Sequence, residues 1–200
     1  MKNRILFLSL FCLLIGLVAA NQGCKKDDNS TAPAAPTNSF AFNTEDGNFA
    51  ASGAYNPYAT SGSGAGWMSS SIIAAYSMFS PTDASVVLMM FMATPSVRTF
   101  NFPTESIMIW SLHVNPNDTG SIYSNQCLTK AGSVVIGAHG GGTSQATFIG
   151  SGVRVRNEAD TCAITNGAFT IYGGSAKAMA LPPEVDRIAR RMVEQASWER

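Results

Sequence analysis

Apolar positions along this chain fall into three regimes. From Ile5 to Ala20 they form an unbroken run with Ser9 as its only polar residue, preceded by Lys2 and Arg4. From Ser39 to about Gly174, short apolar or β-branched runs alternate with turn-forming residues. Beyond Pro183, apolar residues recur at helical spacing. The first regime matches the charged and apolar regions of a secretory signal, and Asn21-Gln22-Gly23 interrupts it too soon for a spanning helix. The second predicts an all-β fold, an antiparallel β-sandwich or barrel. The third predicts one C-terminal amphipathic helix, with Val185, Ile188, Ala189, Met192, Val193 and Ala196 on its apolar stripe. Pro183 suits the first turn of that helix, and Glu184 and Asp186 suit its positive end.

The expected organisation is therefore a leader over residues 1–23 and a tether over 24–38, then a β-rich domain over 39–174 and a helix over 175–200. Within the domain the predicted strands are Phe40–Asn43, Trp67–Tyr76, Ser85–Ala93, Arg98–Phe102, Ser106–Val114, Ser121–Thr129, Ser133–His139, Gln145–Arg156 and Cys162–Tyr172. Pro81-Thr82-Asp83, the stretch Asn115–Gly120 and Gly140-Gly141-Gly142 supply turn chemistry between them. The segments Val86–Met92 and Ile107–Trp110 are apolar on both faces, as strands covered from both sides are. By contrast, Val153-Arg154-Val155-Arg156 alternates, which puts the valines inward and the arginines in water. The C-terminal helix either closes an open end of the domain or serves a partner or membrane surface.

Lys and Arg together number thirteen, as do Asp and Glu, and neither a nucleic-acid partner nor a cofactor is expected. Of the four cysteines, Cys12 lies in the leader, which leaves an odd number in an exported chain. If Cys24 is lipidated, Cys127 and Cys162 remain as one disulfide pair. Such a bridge, closing a loop of about 36 residues, adds about 3–4 kcal/mol in the chain-entropy description. Cleavage after Ala20 is the alternative, and it would release a periplasmic or secreted protein.

Gly23-Cys24, just past the apolar run, resembles the bacterial lipobox. The longer run Gly23-Cys24-Lys25-Lys26-Asp27-Asp28 resembles the start of small Bacteroidetes-type lipoproteins, in which Lys26, Asp27 and Asp28 would match a surface-export signal. Two further segments, Ser144–Gly152 and Cys162–Ile171 with its Ile164-Thr165-Asn166-Gly167-Ala168-Phe169, look like the C-terminal hairpin of the same group. The resemblance implies an acyl anchor such as palmitate on Cys24, an outer-membrane address and display at the cell surface. It brings no catalytic residues.

Candidate chemistry within the domain is sparse. Tyr55, Tyr58, Trp67 and Tyr76 cluster near the Gly/Ser-rich segment Ala54–Gly66, and exposed on loops they would suit glycan or protein recognition. His113 and His139, the only histidines, lack the spacing of a metal site. Asn115–Gly120 has oxygen-bearing side chains but not the acidic ligands of an EF-hand loop. The expectation is a membrane-anchored, surface-exposed lipoprotein whose β-domain is a binding or structural module. A hydrolase with an unrecognised active site is the alternative.

Overall fold

The computed structural model describes residues 36–173 and 180–198, with side chains as far as residue 194. The expected leader, the cleavage point after Ala20, Cys24 and Lys26-Asp27-Asp28 lie outside these residues. The described elements are β1 (Ser39–Thr44), β2 (Gly47–Ser52), β3 (Gly62–Ser69), β4 (Ile72–Ser80), β5 (Asp83–Phe91), β6 (Thr99–Asn101), β7 (Ser106–Val114), α1 (Thr119–Ser124), β8 (Gln126–Gly140), β9 (Thr143–Arg154), β10 (Asn157–Tyr172) and α2 (Pro183–Trp198). Neighbouring strands are antiparallel in the order β2-β1-β10-β9-β8-β7-β5-β4-β3, with β6 beside β8, and the sheet curls into a nearly closed barrel.

Eight successive antiparallel ladders bring β2 and β3 to the seam pointing the same way. No ladder joins them, and short contacts hold the seam instead. The Ala65 N–H donates to the Gly53 carbonyl at 2.9 Å. The Ser63 hydroxyl donates to the Ser52 carbonyl and accepts from the Ser52 N–H. Asn38 does most of the joining. Its Nδ2 donates to the Ala65 carbonyl at 2.6 Å, its Oδ1 accepts from the Tyr172 N–H at 2.7 Å, and its own carbonyl accepts from the Gly53 N–H at 2.9 Å. One residue, through its side chain and its carbonyl, thus ties together the end of β10, the exit of β2 and the middle of β3.

Strand alternation builds two cores. The interior holds Phe40, Phe42, Phe49, Phe91, Phe100, Phe102, Phe148 and Phe169 with Trp67 and Trp110, so the barrel is filled by side chains. Phe40 sits at its centre, stacked on Phe169 at 5.8 Å and tilted against Phe148 at 5.2 Å. Val87, Met89 and Phe91 of β5 face this interior, while Val86, Leu88 and Met90 face outward. The outward set is covered by α2, whose Val185, Ile188, Ala189 and Met192 are buried over β5 in one apolar cluster with outward residues of β4 and β7. The doubly apolar reading of β5 and β7 is explained by that cover. Met92 falls just past β5 and is exposed.

Cys127 and Cys162 are bonded inside the barrel, with β9 between their strands and their Cα atoms 6.4 Å apart. Alternate strands of a flat sheet stand about 9–10 Å apart, so the sheet folds sharply there. Gly152 makes this possible, because a Cβ at that position would lie 2.2 Å from the Leu128 carbonyl oxygen.

Several expectations are corrected. The predicted strand Trp67–Tyr76 is a hairpin, β3 turning into β4 at Ser70-Ser71, where the Ser71 N–H donates to the Ser69 hydroxyl. The front of the predicted strand Ser121–Thr129 is α1, capped by Asp118 accepting from the Gly120 N–H. Gly62–Gly66 lies in β3, and β2 had no counterpart in the sequence reading. Asn38, placed in the tether, belongs to the domain. The helix covers an outer sheet face instead of an open end, and Val193 of the expected apolar stripe is exposed. Val153 and Val155 are only half-buried, and Arg154 is engaged by Asp46.

Asn38→Ala leaves the buried Ala65 carbonyl and Tyr172 N–H without that partner and should cost about 2–4 kcal/mol in urea unfolding; a loss below about 0.5 kcal/mol would show that the seam holds without it. Ile188→Asp buries an unpaired charge and should cost about 3–5 kcal/mol. Val193→Asp, on the exposed side of the same helix, should stay within about 1 kcal/mol, and equal effects of the two changes would contradict the packing.

Candidate functional site

The four aromatic candidates do not form one open platform. Tyr55, Trp67 and Tyr76 are buried, and only Tyr58 is exposed, at 91%. The physical reason lies in their partners. The Tyr55 hydroxyl sits between the Gly66 and Ala74 carbonyls and accepts from the Ala74 N–H at 3.2 Å, which staples the segment before β3 onto the β3–β4 hairpin. Tyr76 packs beside it at 6.2 Å and accepts from the Asn56 N–H. Trp67 fills the interior against Phe91 and meets His139 edge-on.

The histidines are engaged separately. His113, at a φ of 51°, stacks on Phe79 at 5.0 Å and reaches Asp83 through Nδ1 at 3.3 Å. Ser85 lies two residues past Asp83, but its hydroxyl accepts from the His113 backbone N–H and is buried, so it is not presented as a nucleophile. His139 Nδ1 lies 2.9 Å from the Ser144 hydroxyl. Ser144 is buried too, and among the described residues no carboxylate hydrogen-bonds to either member of that pair. Among the described residues no group of three His, Cys, Asp or Glu is placed to hold a metal ion. In the Asn115–Gly120 turn, Asn117 Oδ1 accepts from Arg187 of α2 and Asp118 caps α1.

Groups whose ionisation is displaced serve the fold. Burial pushes the Tyr55 phenol well above its ordinary range, against the opposing effect of its backbone partners. Glu105 is held below the usual carboxylate range, first by the Arg98 guanidinium and then by the Asn101 N–H, and this fixes the turn after β6. Neither carries substrate-directed geometry.

A surface of different character lies on the outer side of β2, β1, β10, β9 and β8. No Asp, Glu, Lys or Arg occurs in residues 39–44, 47–52, 131–140, 143–152 or 161–172. Charges gather at its rim, in Lys130, Glu158, Asp160 and the Arg154–Asp46 pair. Two large apolar side chains are exposed on it, Val135 at 44% and Ile149 at 61%. Between β8, β9 and β10 runs an open groove of about 440 Å³, lined by Ser133, Val135, Thr147, Ile149, Asn166 and Ala168 with the edge of Phe148 and Gly167 beneath.

A β-bulge shapes the groove. The β9–β10 register slips between Ile164 and Gly167, so Thr165 and Asn166 both face outward, with Asn166 at a φ of 52°. Gly167 is required there, since a Cβ would press into the Phe148 ring at 2.3 Å. Asn-Gly pairs also make tight turns, but here the strand runs on through Asn166-Gly167 as a bulge. This face was not singled out in the sequence; its signal there is the absence of charge from the long central stretches 131–140, 143–152 and 161–172.

Comparison with known proteins finds no matching family model, no curated protein and no solved structure.

Because the folded state holds the Tyr55 proton more tightly, its contribution to stability is fully present below pH 10 and declines as pH rises past the unfolded tyrosine value of about 10. Tyr55→Phe should cost about 1–3 kcal/mol at pH 7, by leaving backbone groups unpaired. It should also remove part of the alkaline destabilisation in thermal melts between pH 8 and about 11. Parallel pH profiles for the two proteins would refute this assignment.

Proposed function

We propose that this protein is a lipid-anchored, surface-displayed binding module whose ligand is met on the charge-free outer face of β8, β9 and β10. The observation that carries the reading is the asymmetry of the sheet's outer surfaces. The β4–β5–β7 side is covered by the chain's own helix, whereas the β8–β9–β10 side is uncovered among the described residues, carries its formal charges only towards the strand ends and holds a groove with exposed Val135 and Ile149. Depletion of charge is what separates the centre of an interface from ordinary surface, and bulges commonly sit beside binding sites.

The anchor rests on Cys24 after the apolar leader, and display at the outer membrane rests on Lys26-Asp27-Asp28. Support for Cys24 also comes from pairing, because Cys127 and Cys162 are bonded to each other, leaving Cys24 as the odd cysteine of the exported chain. A single acyl chain holds a protein only marginally, so a stable anchor implies more than one.

The test has two arms. Cells fed labelled palmitate should label the wild-type protein and not Cys24→Ser; equal labelling would overturn the anchor. The purified Cys24→Ser protein should bind isolated cell envelopes, and adding Ile149→Glu should lower that retention at least about tenfold with an unchanged melt, since exposed substitutions leave stability within about 0.5 kcal/mol. Undiminished retention would overturn the assignment of the face.

A further inference from the structure

We propose that the groove over β8, β9 and β10 is a subsite for a neutral oligosaccharide, an inference that rests on the binding-module reading above. The first argument is charge. The segments that line the groove carry no formal charge, and the charged pair flanking β6 beside β8, Arg98 with Glu105, is already bonded to itself, so a charged ligand seated here would find no free counter-ion among the lining residues. An uncharged ligand loses nothing by that, whereas burying an unpaired ion is costly.

The second argument is the groups on offer. Ser133, Thr147 and Asn166 bring hydroxyl and amide donors and acceptors to the groove, and none is committed to another group among the described residues. Val135, Ile149 and Ala168 place aliphatic surface between them. Uncommitted hydroxyl and amide groups interleaved with small apolar patches match a sugar chain, whose ring edges carry hydroxyls and whose ring faces carry C–H bonds. The volume of about 440 Å³ lies within the range of small-ligand sites.

The third argument sets a peptide aside. Extended peptides join β-proteins by adding a strand at a free sheet edge. Here β9 is laddered to β8 on one side and to β10 on the other, so its backbone is already paired.

Full-length Cys24→Ser protein with labelled methyl groups would be titrated with tetramers of β-1,4-glucose, α-1,4-glucose and β-1,4-mannose, and with tetragalacturonate as the anionic control. At least one neutral tetramer should shift the Val135, Thr147 and Ile149 methyls with saturable binding, and tetragalacturonate should not. Thr147→Val, isosteric and on an exposed strand position, should weaken that binding about tenfold. Asn166→Gly, which keeps the left-handed backbone, should do the same. The proposal is overturned if no neutral tetramer at about 10 mM moves these methyls. It is equally overturned if both variants bind as the parent does, or if the anionic tetramer binds as well as the neutral ones. Failure here with envelope retention still lost in Ile149→Glu would discard the sugar and keep the face; loss of neither would discard both.

Discussion

The barrel depends on how its last gap is closed. An up-and-down sheet with an odd number of strands in its circuit brings its two edges together parallel, and parallel edges cannot be joined by a hairpin. Between β2 and β3 the overlap is short, and no ladder forms. Closure therefore falls to side chains, and Asn38 suits the task because one amide both donates and accepts. It is buried, its two side-chain bonds reach strands on opposite sides of the seam, and its carbonyl receives the chain leaving β2. The phenylalanine interior needs this seam shut. Phe40 and Phe42 begin two residues beyond Asn38, so the latch also sets the register in which they enter the core.

Closure leaves the problem of the outer surface, which the chain solves differently on its two sides. On β4, β5 and β7 the outward residues are as apolar as the inward ones, and they oblige something to cover them. Val185, Ile188 and Met192 of α2 do so, at about 1.5–3 kcal/mol each in transfer terms, and Ala189 adds less. An isolated helix of this length is marginal in water, so helix and face stabilise one another. On β8, β9 and β10 the outward positions are mostly Thr, Ser, Gln, Asn, Ala and Gly, with Lys130, Glu158 and Asp160 towards the ends and Val135 and Ile149 as the large exposed apolar residues, so that side is stable uncovered.

Much of this was legible because period-two alternation reports burial directly. The runs Val86–Met92 and Ile107–Trp110 declared two covered faces, the stripe from Val185 to Met192 declared the cover, and cysteine parity pointed to Cys127–Cys162. Legibility ended where a residue's role depends on partners distant in sequence. Asn38 looks like tether because its neighbours are Pro36 and Thr37, and its partners lie 27 and 134 residues away. Tyr55 looks like a loop aromatic because nothing local announces the carbonyls of Gly66 and Ala74 that bury its hydroxyl. The turn at Ser70-Ser71 was hidden for another reason: serine punctuates less strongly than glycine or proline, and apolar residues flank it closely. The helix α1 is a single capped turn or so, too short for periodicity to show.

The segment Ile164–Phe169 shows how fold and candidate site are coupled. Ile164 and Phe169 both point into the barrel, yet they stand five positions apart, an odd spacing that simple alternation forbids. The bulge absorbs the extra residue, and it can do so only if Gly167 yields its space to Phe148 and Asn166 accepts a left-handed backbone. The packing of Phe148 and Phe169 thus forces two consecutive polar residues, Thr165 and Asn166, to the outside at the groove's wall. The candidate binding group is a consequence of filling the core. Any variant that repairs the alternation by deleting one residue between Ile164 and Phe169 would keep both in the core and flatten the groove, which ties recognition on this face to the same aromatic interior that the Asn38 latch holds shut.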